Sequence, residues 1–496
     1  MSDSVISFGA ERSKKKKFGR ECCRNGLWYV LFLLCIPTAS SATEHLFGIK
    51  IAVTNPTAQE RPAEDIVIPI PDLRKIAPDL RAGQLIVTVT DSRTEAEDAA
   101  KLQATEVPSQ VDDLDDDGKA DELAFQLDLK PHQTRVVTVT YGDADRIFHL
   151  RSDYPQRTDA MFAKKFEGLG WESERAGWRI YFDPRNAIDL YGKKRSVLQL
   201  HRFASPEYDY HSESPDGRDI YRIGDAIGIG SVCAWNNGKV VKVADVASRK
   251  WRIVSRGPVR TIAELTYEGW KVGNRSVNLR SRITQWAGER GFLHTVILTG
   301  ADDVTLATGL PLKPGVPAIR SAANDKTSWL ATWGEQVVMP GPDATQESKG
   351  TNLGLAVIVL PSVRASANQN AANHLLTFQP HPGGATWYTL AAWDQENTNI
   401  PVPVGNAPQE ARYYLSRVEP QSAIRTRDEF LTSVHETAAR FSDPAAVKIL
   451  SSTAKVQSAP LDTLNPSQKK SYEQAINLLR AEIDRTAQKW EPIAAA

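Results

Sequence analysis

The chain has 496 residues, with 60 Lys/Arg against 60 Asp/Glu, 41% hydrophobic and 24% charged. That length exceeds what one hydrophobic core organises, so two or more domains are expected, and the composition excludes a disordered or collagen-like chain. Beyond residue 42 the balance is 53 basic to 57 acidic side chains, which excludes a global field that would draw in nucleic acid or an anionic membrane.

Residues 1–42 have the layout of a signal peptide. "RSKKKKFGR" is a basic stretch, and "LWYVLFLLCIP" (27–37) is an apolar run too short to span a bilayer comfortably. "ASSA" (39–42) supplies small residues for cleavage. The expectation is a periplasmic or secreted bacterial protein with no stable membrane anchor after cleavage. Cys22, Cys23 and Cys35 lie in this segment, so the mature chain retains Cys233 alone. One thiol makes neither an intramolecular disulfide nor a cysteine metal site.

From 43 to 150, "FGIKIAVTN", "DIVIPIP", "GQLIVTVTD", "LAFQLDL" and "TRVVTVTYG" carry β-branched residues or period-two alternation. Short strands at this spacing predict an N-terminal β-sandwich. Between two of them stands Asp113-x-Asp115-x-Asp117-Gly118-x-x-Asp121. Alternate carboxylates around a glycine turn converge oxygens on one point, as calcium requires. Asp113, Asp115, Asp117 and Asp121 are therefore candidate ligands of a structural calcium. The plain alternative is a solvated acidic hairpin. No organic cofactor is expected. "FHLRSDYPQRTDA" (148–160) has little pattern and reads as a linker.

From 151 to 425 the predicted strands lengthen: "GWRIYFD", "SVLQLHRFA", "KWRIVSRGPVRTIAELTYEGW", "SVNLRSRITQWAG", "FLHTVILTG", "SWLATWG", "LGLAVIVLP", "WYTLAAWD" and "ARYYLSRVEP". They predict an all-β fold: a large antiparallel sandwich with one ligand-facing sheet. Arg252, Arg256, Arg260, Arg280 and Arg282 within these strands need polar surroundings. In 426–496 the signals are helical. Thr426 to Glu429 forms a capping box, and Asn465-Pro466 opens a second helix.

Chemistry concentrates in two stretches. "GWESERAGWRIYFDPRNAIDLYGKK" (170–194) offers Trp171, Trp178 and Tyr181 as planes for sugar rings, and Arg179 and Arg185 as grips for carboxylate or sulfate; the plain alternative is a core strand with an exposed charged face. "EYDYHSESPDGRDIYRIGDAIGIG" (207–230) sets Asp209, Tyr210, His211 and Arg218 close together. Histidine is the side chain that titrates near neutrality unperturbed, so this span supplies a base, an acid and an anion clamp. Glycines 224, 228 and 230 lack nucleotide-loop spacing and read as places where a strand approaches another backbone closely. His294 sits in a strand, and Trp387 and Trp393 form a candidate aromatic rim. Metalloprotease and serine-hydrolase motifs are missing.

"GWESE…WRIYFDPRNAIDLYGKK", "DYH…GRDIYRIGDAIGIG", "GPVRTIAELTYEGW" and "ATGL" together resemble a family of exported bacterial proteins with a long-uncharacterised domain. The resemblance covers roughly residues 60 to 440. It implies a galactose-mutarotase-like supersandwich, as in many polysaccharide lyases. It also implies a place in the breakdown of pectin-like and ulvan-type polysaccharides, with oligosaccharide dehydration as the linked activity. After the Tyr-His pair this chain departs from the family pattern with "SESPDGRDIY". On this footing the expected substrate is a uronate-containing oligosaccharide, and the expected reaction is β-elimination by a lyase or dehydratase. His211 is the expected base, Tyr210 the acid, and Arg218 or Arg179 the carboxylate clamp. Trp171, Tyr181, Asp209, His294, Trp387 and Trp393 would line the site. Two other readings stay open: a glycoside hydrolase using Glu172 and Asp209, and a non-catalytic glycan-binding protein.

Overall fold

The computed structural model describes residues 46–83, 85–90, 104–338, 351–396 and 423–456. The export segment, "ARYYLSRVEP" and the helix opening at Asn465 fall outside the described residues. Every strand-to-strand ladder among the described residues is antiparallel, as the alternating patterns require. No helix among them is long and apolar enough to cross a membrane.

Two hydrophobic cores organise this chain. The first lies between a five-stranded sheet, whose central members are Leu46–Thr54 and Thr134–Gly142, and a three-stranded sheet built on Arg61–Pro69, Glu122–Leu129 and Ser109–Asp112. Ile49, Ile51, Ile66, Ile68, Phe125 and Val137 fill it. Its edge strand comes from the other end of the chain: Ala446–Val456 pairs along Leu46–Thr54. Within the C-terminal segment expected to be helical, the described residues form one helix, Arg427–Ser442, followed by the strand Ala446–Val456. The helix starts at the capping box, with the Thr426 side chain accepting from the Glu429 backbone N–H.

The second core lies under an eight-stranded sheet running from Ser248–Ser255 at one edge to Ala318–Arg320 at the other. Two five-stranded sheets supply its opposite wall. One is ordered Gly217–Asp219, Ile188–Lys193, Gly177–Tyr181, Gly168–Ser173, Thr158–Ala163. The other contains Leu306–Pro311 and Asn373–Phe378. Trp171, Trp178, Tyr267, Phe292, Leu376 and Trp387 meet in this core. The outer face of the eight-stranded sheet is closed by the C-terminal helix, where Phe430 and Val434 pack on Trp329 and Tyr388. Gly354 allows the helix this close, since a Cβ there would stand 2.7 Å from the Phe430 ring.

The strand arginines do not face open solvent as a set. Arg260 is buried on Asp112 and Glu122, which ties the small sandwich to the large sheet, and Arg252 and Arg282 converge on Glu264. Gly228 and Gly230 behave as close-approach glycines, with φ of 95° and 70°. A Cβ at Gly228 would stand 2.4 Å from the Ile188 nitrogen.

Candidate functional site

The sheet that ends on Gly217–Asp219 has two unlike faces. Alternation sends Trp178, Ile180, Ile188 and Leu190 into the large core. Their neighbours Arg179, Tyr181, Asp189 and Tyr191 therefore point outward. Arg179 and Asp189 are direct cross-strand partners, and Tyr191 pairs with Asp219 on the next strand. The segment between Lys193 and Gly217 then crosses this outer face and covers it. Part of it was expected as a strand (196–204), but it forms the short helix Leu200–Phe203, whose two apolar ends turn down onto the sheet. Leu200, Phe203 and Tyr210 pack there with Phe166 and Tyr191. Gly170 leaves the room: a Cβ would stand 2.9 Å from Leu200 Cδ2.

Under this cover lies a charged cluster centred on Arg179. Its Nη2 donates to Asp189 Oδ2 at 2.7 Å and to Asp219 Oδ2 at 2.9 Å. Nε donates to Asp189 at 3.1 Å, Nη1 to the Tyr210 hydroxyl at 3.1 Å, and Nη2 again to the Tyr181 hydroxyl at 2.5 Å. Both carboxylates are fixed further by backbone N–H groups, of Leu190 for Asp189 and of Tyr221 for Asp219. Burial opposes the Arg179 cation, but Asp189, Tyr191 and Asp219 outweigh it and hold the guanidinium firmly protonated. One guanidinium facing two carboxylates leaves a surplus negative charge. Burial first, then the Asp189 carboxylate, push Asp219 up to about 8. Burial also holds the Tyr181 and Tyr210 phenols above their ordinary range.

His211 stands at the solvent edge of this cluster with its side chain 56% exposed. Its Nε2 is 3.9 Å from Asp219 Oδ2, its Nδ1 is 3.2 Å from Asp209 Oδ1, and its ring lies 4.2 Å from that of Tyr210. Asp209, itself exposed, also accepts from the His211 backbone N–H and from Ser212 Oγ, and so orients the loop. Thus Arg179, Tyr181, Asp209, Tyr210 and His211 do come together.

Other expected site residues do not join them. Trp171 is fully buried and packs edge-on against Phe292, leaving no face for a sugar. Trp387 and His294 are likewise fully buried, and both bond the Gly230 carbonyl. His294 also faces Ser281 Oγ, and burial depresses it to about 3, so it is a neutral core residue. Trp393 is 5% exposed and fills the core beside Gly192. All four obey strand alternation onto the inner faces, which motif spacing did not weigh. Arg218 is buried on the opposite side of its strand from Asp219. It donates to Glu213 and to the Asp219 and Val338 carbonyls, so it is not the clamp. Tyr210, 4% exposed, lies beneath His211 and supports it instead of meeting substrate. Glu172 is sealed in a buried pair with Lys193 and accepts the Gln199 and Leu200 backbone N–H groups, which removes it as a hydrolytic acid. Asp219 belongs to the crowded 207–230 stretch but was given no role, and Asp189 escaped the motif reading. Their signal was the alternation Trp178-Arg179-Ile180 against Ile188-Asp189-Leu190.

In the aspartate loop, Asp113, Asp115 and Asp117 bring carboxylate oxygens within 4.8 Å of one another and are the side chains able to hold a hard cation. Asp121 does not join them; it accepts the Leu114 N–H. Asp117 is also paired with Lys119.

Residues 53–403 match the family model described as Domain of unknown function (DUF4861), and the chain belongs to that family. A curated relative, "Uncharacterized protein P7" of Formosa agariphila, is 26% identical over 253 residues, which span 45% of this chain and 59% of that protein. Among solved structures, an alpha-mannosidase from Enterococcus faecalis V583 aligns with a TM-score of 0.41 at 9% identity, over 82% of this chain and 46% of that one. A glycosyl hydrolase family 38 protein from Enterococcus faecalis aligns at 0.42 and 8%, over 83% and 48%.

Proposed function

We propose that the chain is a carbohydrate-active enzyme that performs β-elimination on uronate-containing oligosaccharides. The observation that carries this reading is an exposed imidazole, His211, placed 3.9 Å from a buried carboxyl group, Asp219, that is itself held by Arg179 and the Tyr221 backbone N–H. His211 is the base that takes the C5 proton. The released electron pair forms the C4–C5 double bond, and the oxygen at C4 leaves with a proton as water or as an alcohol. Tyr181 is half-buried; its hydroxyl accepts from Arg179 and donates to Asp189, burial keeps it protonated, and on this reading it supplies the proton to the leaving oxygen while Arg179 steadies the phenolate left behind. The donors of Arg179 are already engaged, so that guanidinium acts through Tyr181 and Asp219. Arg185 lies 3.8 Å above the Tyr181 ring and is 45% exposed, and it is the guanidinium placed to meet the uronate carboxylate. Its partners Asp183 and Glu167 are exposed enough that releasing them costs little.

The test uses uronate oligosaccharides, with ultraviolet absorbance for the new double bond and mass for the product. His211→Ala and Tyr181→Phe are each expected to lower the rate about 100-fold or more. Full activity in both variants overturns the assignment. Gain of water in the product identifies a hydrolase, and unchanged sugar that nevertheless binds identifies a glycan-binding protein.

A further inference from the structure

We infer that Trp251, on the edge strand Ser248–Ser255, is a second sugar-binding subsite that takes a ring of an oligosaccharide remote from the reacting bond. Trp251 is 42% exposed, and among the exposed large hydrophobics of the described residues the other aromatic is Phe148. One side of it is not free: its ring lies parallel to that of Phe162, 4.9 Å centroid to centroid with a 3° interplanar angle. Phe162 is braced in turn by Phe182, edge-on at 5.7 Å. The indole is therefore a flat plate backed by a packed aromatic pair, with its orientation fixed before any ligand arrives.

The chemistry around the plate selects a sugar. A protein partner would need a contiguous apolar patch of several hundred Å². Here a single ring shares its face of the strand with Arg249, whose charge acts on Asp183, the ion-pair partner of Arg185; Lys250 and Glu268 lie on the other face. A plane of this size suits the C–H face of one pyranose, and a polar border suits its hydroxyls. The turn after Phe182 carries Arg185, whose guanidinium covers the Tyr181 ring at the edge of the Arg179 cluster. Phe162 and Phe182 pack on the core face of that sheet and Arg185 covers its outer face, so a ligand reaching both the plate and the proposed reaction centre runs around the end of the sheet at the Asp183–Asn186 turn. The ligand is accordingly an extended uronate oligosaccharide, and a disaccharide bound at the centre would leave the plate unused.

This inference rests on the reading of the chain as a protein that handles uronate oligosaccharides. It is tested by calorimetric binding of a size-graded series, from disaccharide to hexasaccharide, prepared from ulvan and from homogalacturonan. The His211→Ala protein is the reference, so that turnover does not intrude. Trp251→Ala is expected to weaken the longer oligosaccharides about tenfold and to leave the disaccharide unchanged, while Trp251→Phe retains most of the affinity. Thermal melting of both variants checks that the edge strand stays in place, and the Phe variant keeps the packing on Phe162 if the Ala variant loosens it. Equal affinity of the reference, Ala and Phe proteins for every length overturns the subsite, as does an equal loss at every length. A length-dependent loss without any double-bond formation in the wild type would leave the subsite standing and overturn the elimination reading instead.

Discussion

Trp178 and Arg179 are neighbours on one strand, and they sit in opposite kinds of interior. The Trp178 side of the sheet is an apolar core, closed by Phe292 and the eight-stranded sheet. The Arg179 side is a charged cluster closed by the single segment between Lys193 and Gly217, with Leu200, Phe203 and Tyr210 as the buried apolar roof and Ala204 and Tyr208 beside them. Apolar packing on the first side is non-directional and tolerates many neighbours. The second side requires particular partners, because a buried charge without one costs far more than a lost methylene. A sheet that needed only stability would repeat the first solution on both faces. A guanidinium, two carboxyl groups and two phenols held under a thin roof, with an imidazole at its edge, are the feature on which the proposed site rests.

The largest expected effect comes from breaking each side separately. Arg179→Ala strips both carboxylates of their cation and is expected to cost about 3–5 kcal/mol of stability. Trp178→Ala leaves a cavity and is expected to cost about 3–5 kcal/mol as well. The two losses part with pH. Lowering the pH removes buried negative charge and is expected to ease Arg179→Ala, whereas the cavity is indifferent to protons. Urea unfolding of both variants across pH 4 to 8 measures the difference. If the Arg179→Ala deficit were the same at both ends, the cluster would not be held by charge.

A smaller effect sharpens the same contrast in the wild-type chain. Asp219 is raised from 3.8 to about 8 in the fold, so the folded state holds a proton that the unfolded chain has lost. Its contribution is fully present below 3.8 and is lost as pH rises through about 8. His294, in the apolar core, runs the other way. Its folded value is depressed from 6.5 to about 3, so its contribution is full above 6.5 and is lost as pH falls toward 3. Asp219→Asn is therefore expected to flatten the decline in stability as pH rises toward about 8, and His294→Asn the decline as pH falls toward about 3. Melting curves across the pH range read both, and exchange of the two effects would refute the placement of these groups.

Much of this arrangement was legible in the residues, and the gaps have physical causes. Strands such as Thr134–Gly142 and Gly291–Thr299 announce themselves because alternation and β-branching are local properties. The capping box at Thr426 is local too. The pairing of Ala446–Val456 with Leu46–Thr54 is not, since it joins segments about four hundred residues apart that share no local code. In the site, Tyr210 and His211 were found by composition, as an unusual density of functional groups. Arg218 and Trp171 were misplaced because density ignores which way a strand side chain points. Asp189 was overlooked although its register opposite Arg179 follows from counting alternate residues on both sides of the Asp183–Asn186 turn.

The smallest expected effect on stability belongs to Arg185, and for that reason it isolates function. Its ion pairs with Asp183 and Glu167 are partly exposed, and pairs of that kind contribute about 0–1 kcal/mol. Arg185→Ala should therefore melt close to the wild type. If its guanidinium meets the uronate carboxylate over Tyr181, the variant raises KM or lowers kcat for charged substrates and leaves binding of a carboxyl-reduced oligosaccharide unchanged. Arg185→Lys tests the same point more finely, because it keeps the charge but loses the planar face that stacks on the phenol ring. A charged-substrate deficit in both variants assigns planar, bidentate recognition to Arg185. A deficit in Ala alone assigns charge. No deficit in either moves the carboxylate contact away from Tyr181, and the Arg179 cluster would then need another cation to complete the proposed chemistry.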